Sequence, residues 1–346
     1  MRRIGALLAM AALMGAGDTH FAPVRPGVAL TFPRDHGAHP DHRTEWWYVT
    51  GWLDGPGGSH RGFQITFFRT ATGIGGQSAF APRQILFAHA ALSDPAIDHL
   101  LHGERIARDG FGLAQASARD TDVAIDDWHL RRLPDGRFIA HVAGQGFALD
   151  LAFRPTQPVL AQGDHGFSRK GPDPQSASRY YSLPHLAVSG MVEQGGRRQN
   201  VGGSAWLDRE WSSSYLPQGA VGWDWTGLNF DDGGALMAFR IRRRDGGTVW
   251  AGGSYRAGDG TLSVLKPGDV DFTARHHWRS PHTGALYPVD PVVRAGGRSL
   301  PLTPLFPDQE LDGRSAGSPV YWEGAVRVPG GRGYLELTGY ADDLHL

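Results

Sequence analysis

The chain of 346 residues carries a formal net charge of -1, 49 glycines, 23 prolines and no cysteine. Near-neutral charge removes the bulk electrostatic attraction on which binders of nucleic acid or anionic membrane depend. With no disulfide available, stability rests on packing. Abundant Gly and Pro without clean helical periodicity point to an all-β chain of many strands and turns, long enough for two domains.

Residues Met1–Gly17 run from a basic start (Arg2, Arg3) through the apolar Ile4–Met14 to the small residues Gly15, Ala16 and Gly17. This is the layout of a signal peptide, too short to span a bilayer stably, so a secreted or periplasmic protein is expected. No later apolar run approaches spanning length, so no membrane span is expected in the mature chain. Pro23–Pro40 reads as an irregular arm. The spacing of His36, His39 and His42 fits no standard zinc pattern, so solvated loop histidines and no metal site are expected. Of the 34 basic residues only Lys170 and Lys266 are lysines. We read this as compositional bias and not as a binding signature.

From Glu45 the content turns aromatic and β-branched and predicts a strand. Glu45, Trp47 and Val49 would share one face, with Trp46, Tyr48 and Thr50 on the other. Gly55-Pro56-Gly57-Gly58 turns the chain into a returning strand, Gly62–Arg69. Further strands are expected at Ile85–Leu92, Ala124–Arg131, Phe138–Val142 and Phe147–Phe153. Pro155–Ser178 reads as a long surface loop. Strand character returns at Arg179–Gly190, a segment containing Tyr181 and His185.

The stretch Ser204–Ser214 holds Asp208 and Glu210 two residues apart between Trp206 and Trp211. On a strand, Trp206, Asp208 and Glu210 share one face, and Ala205, Leu207, Arg209 and Trp211 the other. Two acids beside an indole are costly to bury without water or a partner. Pairing with an arginine is the structural alternative to a catalytic role. Without a gap, Trp47, Thr50, Gly51, Gly57, Gly58, Phe63 and Ile65 match Trp223, Thr226, Gly227, Gly233, Gly234, Phe239 and Ile241. That self-similarity suggests one β unit used twice. The expected division is a signal peptide at 1–17, an N-terminal barrel at 18–215 and a C-terminal barrel at 216–346. Barrels are favoured over open sheets because closure removes strand edges.

Several segments carry a family resemblance: His36-Gly37-Ala38-His39-Pro40, Arg43-Thr44-Glu45-Trp46-Trp47-Tyr48, Phe87-Ala88-His89, Asp126-Asp127-Trp128, Tyr180-Tyr181-Ser182, Trp206–Ser213, Tyr321-Trp322-Glu323 and Leu335–Tyr340. In that order they resemble the AttH-like proteins, a group that includes the bacterial carotenoid 1,2-hydratases (hydroxyneurosporene synthases). The resemblance covers the mature chain and implies two tandem lipocalin-like antiparallel β-barrels packed side by side. It also implies chemistry on unsaturated, isoprenoid-like molecules, either water addition to a double bond or, as in fungal relatives, ring closure of polyenes.

Hydration of an unactivated alkene needs a strong acid toward carbon, a base toward water and electron-rich faces around the cation. Asp208, Glu210 and Glu45 are the candidate catalytic acids. Trp47, Tyr48, Tyr181, His185, Trp206, Trp211, Trp223, Trp225, Tyr321 and Glu323 are the candidate ligand contacts. A cofactor-independent hydro-lyase acting at a groove between the barrels is the leading expectation. At least two of Glu45, Asp208, Glu210 and Glu323 should then share one pocket there, with Trp47 or Trp223 lining it. Two alternatives stay open. One is a non-catalytic periplasmic carrier of a hydrophobic ligand, partnered with an ABC-type envelope transport system. The other is a secreted hydrolase with His185 or His42 as base, although serines 212–214 follow no nucleophile-elbow motif.

Overall fold

The computed structural model describes residues 21–74, 80–314 and 318–344. The expected signal peptide, residues 1–17, lies outside the described residues. Among the described residues no helix is long and apolar enough to cross a membrane, and regular structure beyond strands is limited to short 3-10 turns such as Arg34–His36.

Among the described residues, thirteen antiparallel strands form the first sheet. Its ladder runs from His99–Arg108 through Gln84–Asp94, His60–Ala71 and Thr44–Asp54 to Arg197–Ser214 and Ala177–Gln194. It continues through Phe147–Arg154, Phe138–Gly144, Trp128–Arg132 and Asp122–Ile125 to Ala114–Ala116. The ladder curls into a nearly closed barrel because alternate residues along each strand are apolar and need a common interior. Trp47, Val49, Phe63, Ile65, Leu207 and Trp211 are among those that meet there. The expected strand Ala124–Arg131 is two strands. Asp126, at φ 50, turns the chain between them.

The second sheet has eight strands among the described residues, with Ala220–Phe230 between Ala235–Arg243 and Gly331–Thr338, and Val320–Val328 beyond. Small sheets, including Val270–Thr273 with Val292–Ala295 and Arg298–Pro301, help enclose its own core around Leu228, Phe272, Tyr287 and Trp322. The chain changes sheets between Ser214 and Ala220. Each unit places its leading strand between its hairpin partner and its last long strand, so the architecture is all-β and lipocalin-like in both halves.

The matched segments of the two halves do not face alike. Trp47 points into the first core, whereas its match Trp223 points toward the other sheet. A third core fills the seam, built from Tyr48, Trp52, Tyr180, Trp206, Trp225, Phe239 and Tyr334. Polar ties cross it: the Trp52 indole donates to the Gly333 carbonyl at 3.0 Å, and Arg332 forks onto Asp54 with both bonds at 2.8 Å.

Candidate active site

The strand Arg197–Ser214 pairs with Thr44–Asp54 in a register that sets Tyr48 opposite Asp208 and Trp46 opposite Glu210. Strand alternation sends those four side chains out of the first barrel and into the seam. There they line a cavity of about 380 Å³ together with Phe68, Phe87, Trp223, Trp225, Tyr321, Glu323 and Glu336, among others. Its wall is rich in aromatic side chains and comes from both sheets.

Asp208 is buried at this wall. Its carboxylate accepts hydrogen bonds from the Tyr180 hydroxyl (2.5 Å), the Ser182 hydroxyl (2.5 Å) and the Trp206 indole (2.7 Å). Burial nevertheless outweighs those donors and, with the neighbouring Glu210 charge, pushes Asp208 up to about 7. The Tyr180 oxygen also accepts from the Trp225 indole at 3.0 Å, which ties the acid to the second sheet.

Glu210 has a different environment. The Lys170 ammonium lies 2.8 Å from it, and the Ser178 hydroxyl donates to it. Lys170 is buried, with Phe239 4.2 Å and Tyr180 4.9 Å from its nitrogen. Burial lowers its pKa, and Glu210 opposes that shift. Two carboxylates two residues apart are thus set to different tasks, one near neutrality and one ion-paired.

The second sheet contributes another acid pair. Glu323 and Glu336 are direct partners on adjacent antiparallel strands. Burial and the Glu336 charge push Glu323 well above the usual carboxylate range. Burial raises Glu336 to about 7, against a hydrogen bond from Trp223.

Other residues singled out in the sequence lie elsewhere. Glu45 is inside the first barrel, clamped by Arg69 and Arg209 and bonded to the His39 backbone amide at 2.9 Å. Its pKa is lowered, because the two guanidinium groups and His39 outweigh the burial penalty. Trp47 donates to the His36 carbonyl at 2.9 Å, and Arg209 stacks 3.8 Å above its ring. Trp211 stacks on His39 at 3.7 Å. Tyr181 bonds His36 Nδ1 at 2.6 Å. All four acids and aromatics sit in or against the first core because their strand positions face inward. Trp206 stands behind Asp208 and is not part of the cavity lining. His185 donates from Nε2 to the Gly234 carbonyl at 2.8 Å and also lies outside that lining.

The expectation of solvated histidines does not hold for His36 and His39, which are buried. The arm folds back over the first barrel, where its carbonyls accept from Trp47, Thr121 and Arg209. Burial lowers His36 to about 3, and His42, half-buried, to about 4. Among the described residues no group of three or more metal-ligating side chains is arranged to hold an ion. Pro155–Ser178 is likewise more than a surface loop. Two short strands in it pair with Ala177–Gln194 and bring Lys170 to the cavity.

Sequence reasoning missed Lys170, Glu336 and His89. Lys170 had a signal, being one of two lysines among 34 basic residues. Glu336 had none, since it takes the ordinary polar place between Leu335 and Leu337 in an alternating strand.

The AttH-like family model matches residues 23–340. The chain belongs to the AttH-like family. A crystal structure of a candidate AttH from Nitrosomonas europaea is 51% identical, covers 92% of this chain and 100% of its own, and superposes with a TM-score of 0.87. Kievitone hydratase from Nectria haematococca shares the fold at 14% identity and a TM-score of 0.70, over 93% of this chain and 96% of its own. CghA in complex with Sch210972 does so at 13% identity and 0.57, over 95% and 98%. No curated protein matches the sequence.

Proposed function

We propose that this protein is a cofactor-independent acid–base enzyme of the hydro-lyase type, acting on an apolar, unsaturated small molecule held in the seam cavity. The observation that carries this reading is Asp208: a buried carboxyl facing an aromatic cavity and half-protonated near pH 7, beside an ion-paired Glu210. A carboxylic acid of that kind can protonate carbon, and general acid catalysis of this sort is worth about 10²–10⁴-fold in rate.

The step balances without a cofactor. The π electrons of the double bond take the Asp208 proton to form a C–H bond. The resulting carbocation lies against the faces of Tyr48, Trp223 and Trp225. Water forms the C–O bond and its surplus proton returns to the Asp208 carboxylate, so the net change is addition of H₂O. By its name the Nectria haematococca neighbour is a hydratase, which supports the reaction class. In this reading segment 1–17 directs export, and the enzyme meets its substrate in the periplasm or outside the cell.

The test is incubation of the purified protein with a panel of prenyl and terpenoid alkenes in H₂¹⁸O. The wild type is expected to incorporate one ¹⁸O, with Asp208→Asn slower by at least about 100-fold while ligand binding persists. Binding by the wild type without incorporation across the panel would favour the non-catalytic carrier, handing its ligand to an envelope transport system.

A further inference from the structure

One part of the cavity wall is not apolar. Gln64 and His89, from two strands of the first sheet, meet Tyr321 from the second. The Gln64 amide nitrogen donates to the Tyr321 oxygen at 2.9 Å and to the Thr66 hydroxyl at 3.1 Å. The Tyr321 hydroxyl lies 2.7 Å from His89 Nδ1. Tyr48 and Glu323 complete the group, and Glu323 faces the Tyr48 hydroxyl.

These contacts leave Gln64 Oε1 and His89 Nε2 without a hydrogen-bond partner, while the Glu323 carboxyl has only the Tyr48 hydroxyl beside it. All four residues are buried. An orphaned buried polar group costs about 1–3 kcal/mol, and native proteins carry few of them. Two such atoms beside the Tyr48–Glu323 pair, on one stretch of a ligand-sized cavity, are a complement for a polar group.

The chemistry of the set defines that group. Burial holds the His89 ring neutral, lowering it to about 3. When the Tyr321 hydroxyl donates to Nδ1, Nε2 carries the hydrogen and becomes a donor toward the cavity. Glu323 is held toward its protonated form by burial and by Glu336, and then both donates and accepts. Tyr334 and Tyr321 are the other titratable groups against Glu323. Asp208 and Glu210 face Glu336, and Lys170 is committed to Glu210. The cluster therefore presents uncharged donors and acceptors, while the cations of the cavity lining are Lys170, bonded to Glu210, and Arg43, exposed at the start of the strand Thr44–Asp54.

We propose that Tyr48, Gln64, His89 and Glu323 form a subsite for a neutral hydroxyl or carbonyl group at one end of the ligand. The substrate of the seam cavity is then an oxygen-bearing prenyl or polyene molecule and not a bare hydrocarbon. This inference rests on reading the cavity as the ligand site. The aromatic band from Phe68 through Trp46 and Tyr215 to Trp223 would carry the apolar body toward Asp208.

Tryptophan fluorescence reads binding directly, because Trp46, Trp223 and Trp225 line the cavity. The probes are geraniol, its hydrocarbon counterpart 2,6-dimethylocta-2,6-diene, and geranylamine. The full-length mature protein should bind geraniol at least about tenfold more tightly than the diene, since a site built to bond a hydroxyl discriminates against its absence. Gln64→Leu and His89→Phe should each shrink that preference below about threefold with diene affinity retained, which also shows that the variants fold. Equal affinity of the wild type for geraniol and the diene would overturn the subsite while leaving an apolar seam site in place. Tighter binding of geranylamine than of geraniol would overturn the neutral-ligand claim. Failure to bind any of the three would overturn the subsite and the seam site together.

Discussion

At the residue scale the site turns on how environment separates identical groups. Asp208 and Glu210 share one strand face, yet Lys170 pairs with Glu210, while burial raises Asp208 to about 7. A raised acid stabilises the fold when protonated. Its contribution is fully present below the unfolded value of 3.8 and is lost as pH rises through about 7. His36 and His89 act in the opposite sense. Their folded values near 3 lie below the unfolded 6.5, so they withdraw stability as pH falls below about 6.5. The difference between Asp208→Asn and wild type isolates the aspartate. Measured by urea denaturation, that difference should move in favour of the variant between about pH 4 and pH 7 and level off above. A pH-independent difference would contradict the raised value. The acids Asp208, Glu210 and Glu323 could be picked from sequence as charged residues in aromatic strands. Glu45 looked the same by that criterion. What distinguishes it is the pair Arg69 and Arg209, which reach it from neighbouring strands and cannot be read from local pattern.

At the element scale the strand Arg197–Ser214 is the wall that both interiors share. Its alternation was legible. Leu207 and Trp211 enter the first core, and Asp208 and Glu210 the seam, as a period of two requires. Its partners were not legible, because pairing Tyr48 with Asp208 joins residues far apart in sequence. The strand also needs one close backbone approach. Gly203, at φ +153, lies opposite Leu53, and a Cβ there would stand 2.0 Å from the Trp52 carbonyl oxygen. Gly203→Ala should therefore lower the urea midpoint, with backbone strain alone costing about 1–3 kcal/mol and the clash adding to it. An unchanged midpoint would mean that the two strands do not approach as described. The hidden element was the segment holding Lys170. Its Gly- and Pro-rich sequence reads as loop, whereas its short strands are imposed by pairing with Ala177–Gln194.

At the scale of the whole molecule, two β units bury their apolar faces separately and leave a third apolar region between them. Composition and turn spacing made the all-β class and the doubling readable, while the facing of the halves was not. The match of Trp47 with Trp223 suggested equivalent roles, but one is core and the other cavity wall. A second, smaller cavity of about 190 Å³ lies against Asp224, Arg240 and Arg242 in the second unit, where both guanidinium groups are bonded to Asp224. The central claim is that the working site is the seam and not the mouth of either barrel. Anomalous diffraction from crystals soaked with a brominated prenyl alcohol tests it most directly. The account predicts one bromine-marked ligand in the seam cavity, its chain along Trp46 and Trp223 and its hydroxyl at His89 and Glu323. Bromine density beside Arg240 and Arg242, with the seam empty, would contradict it.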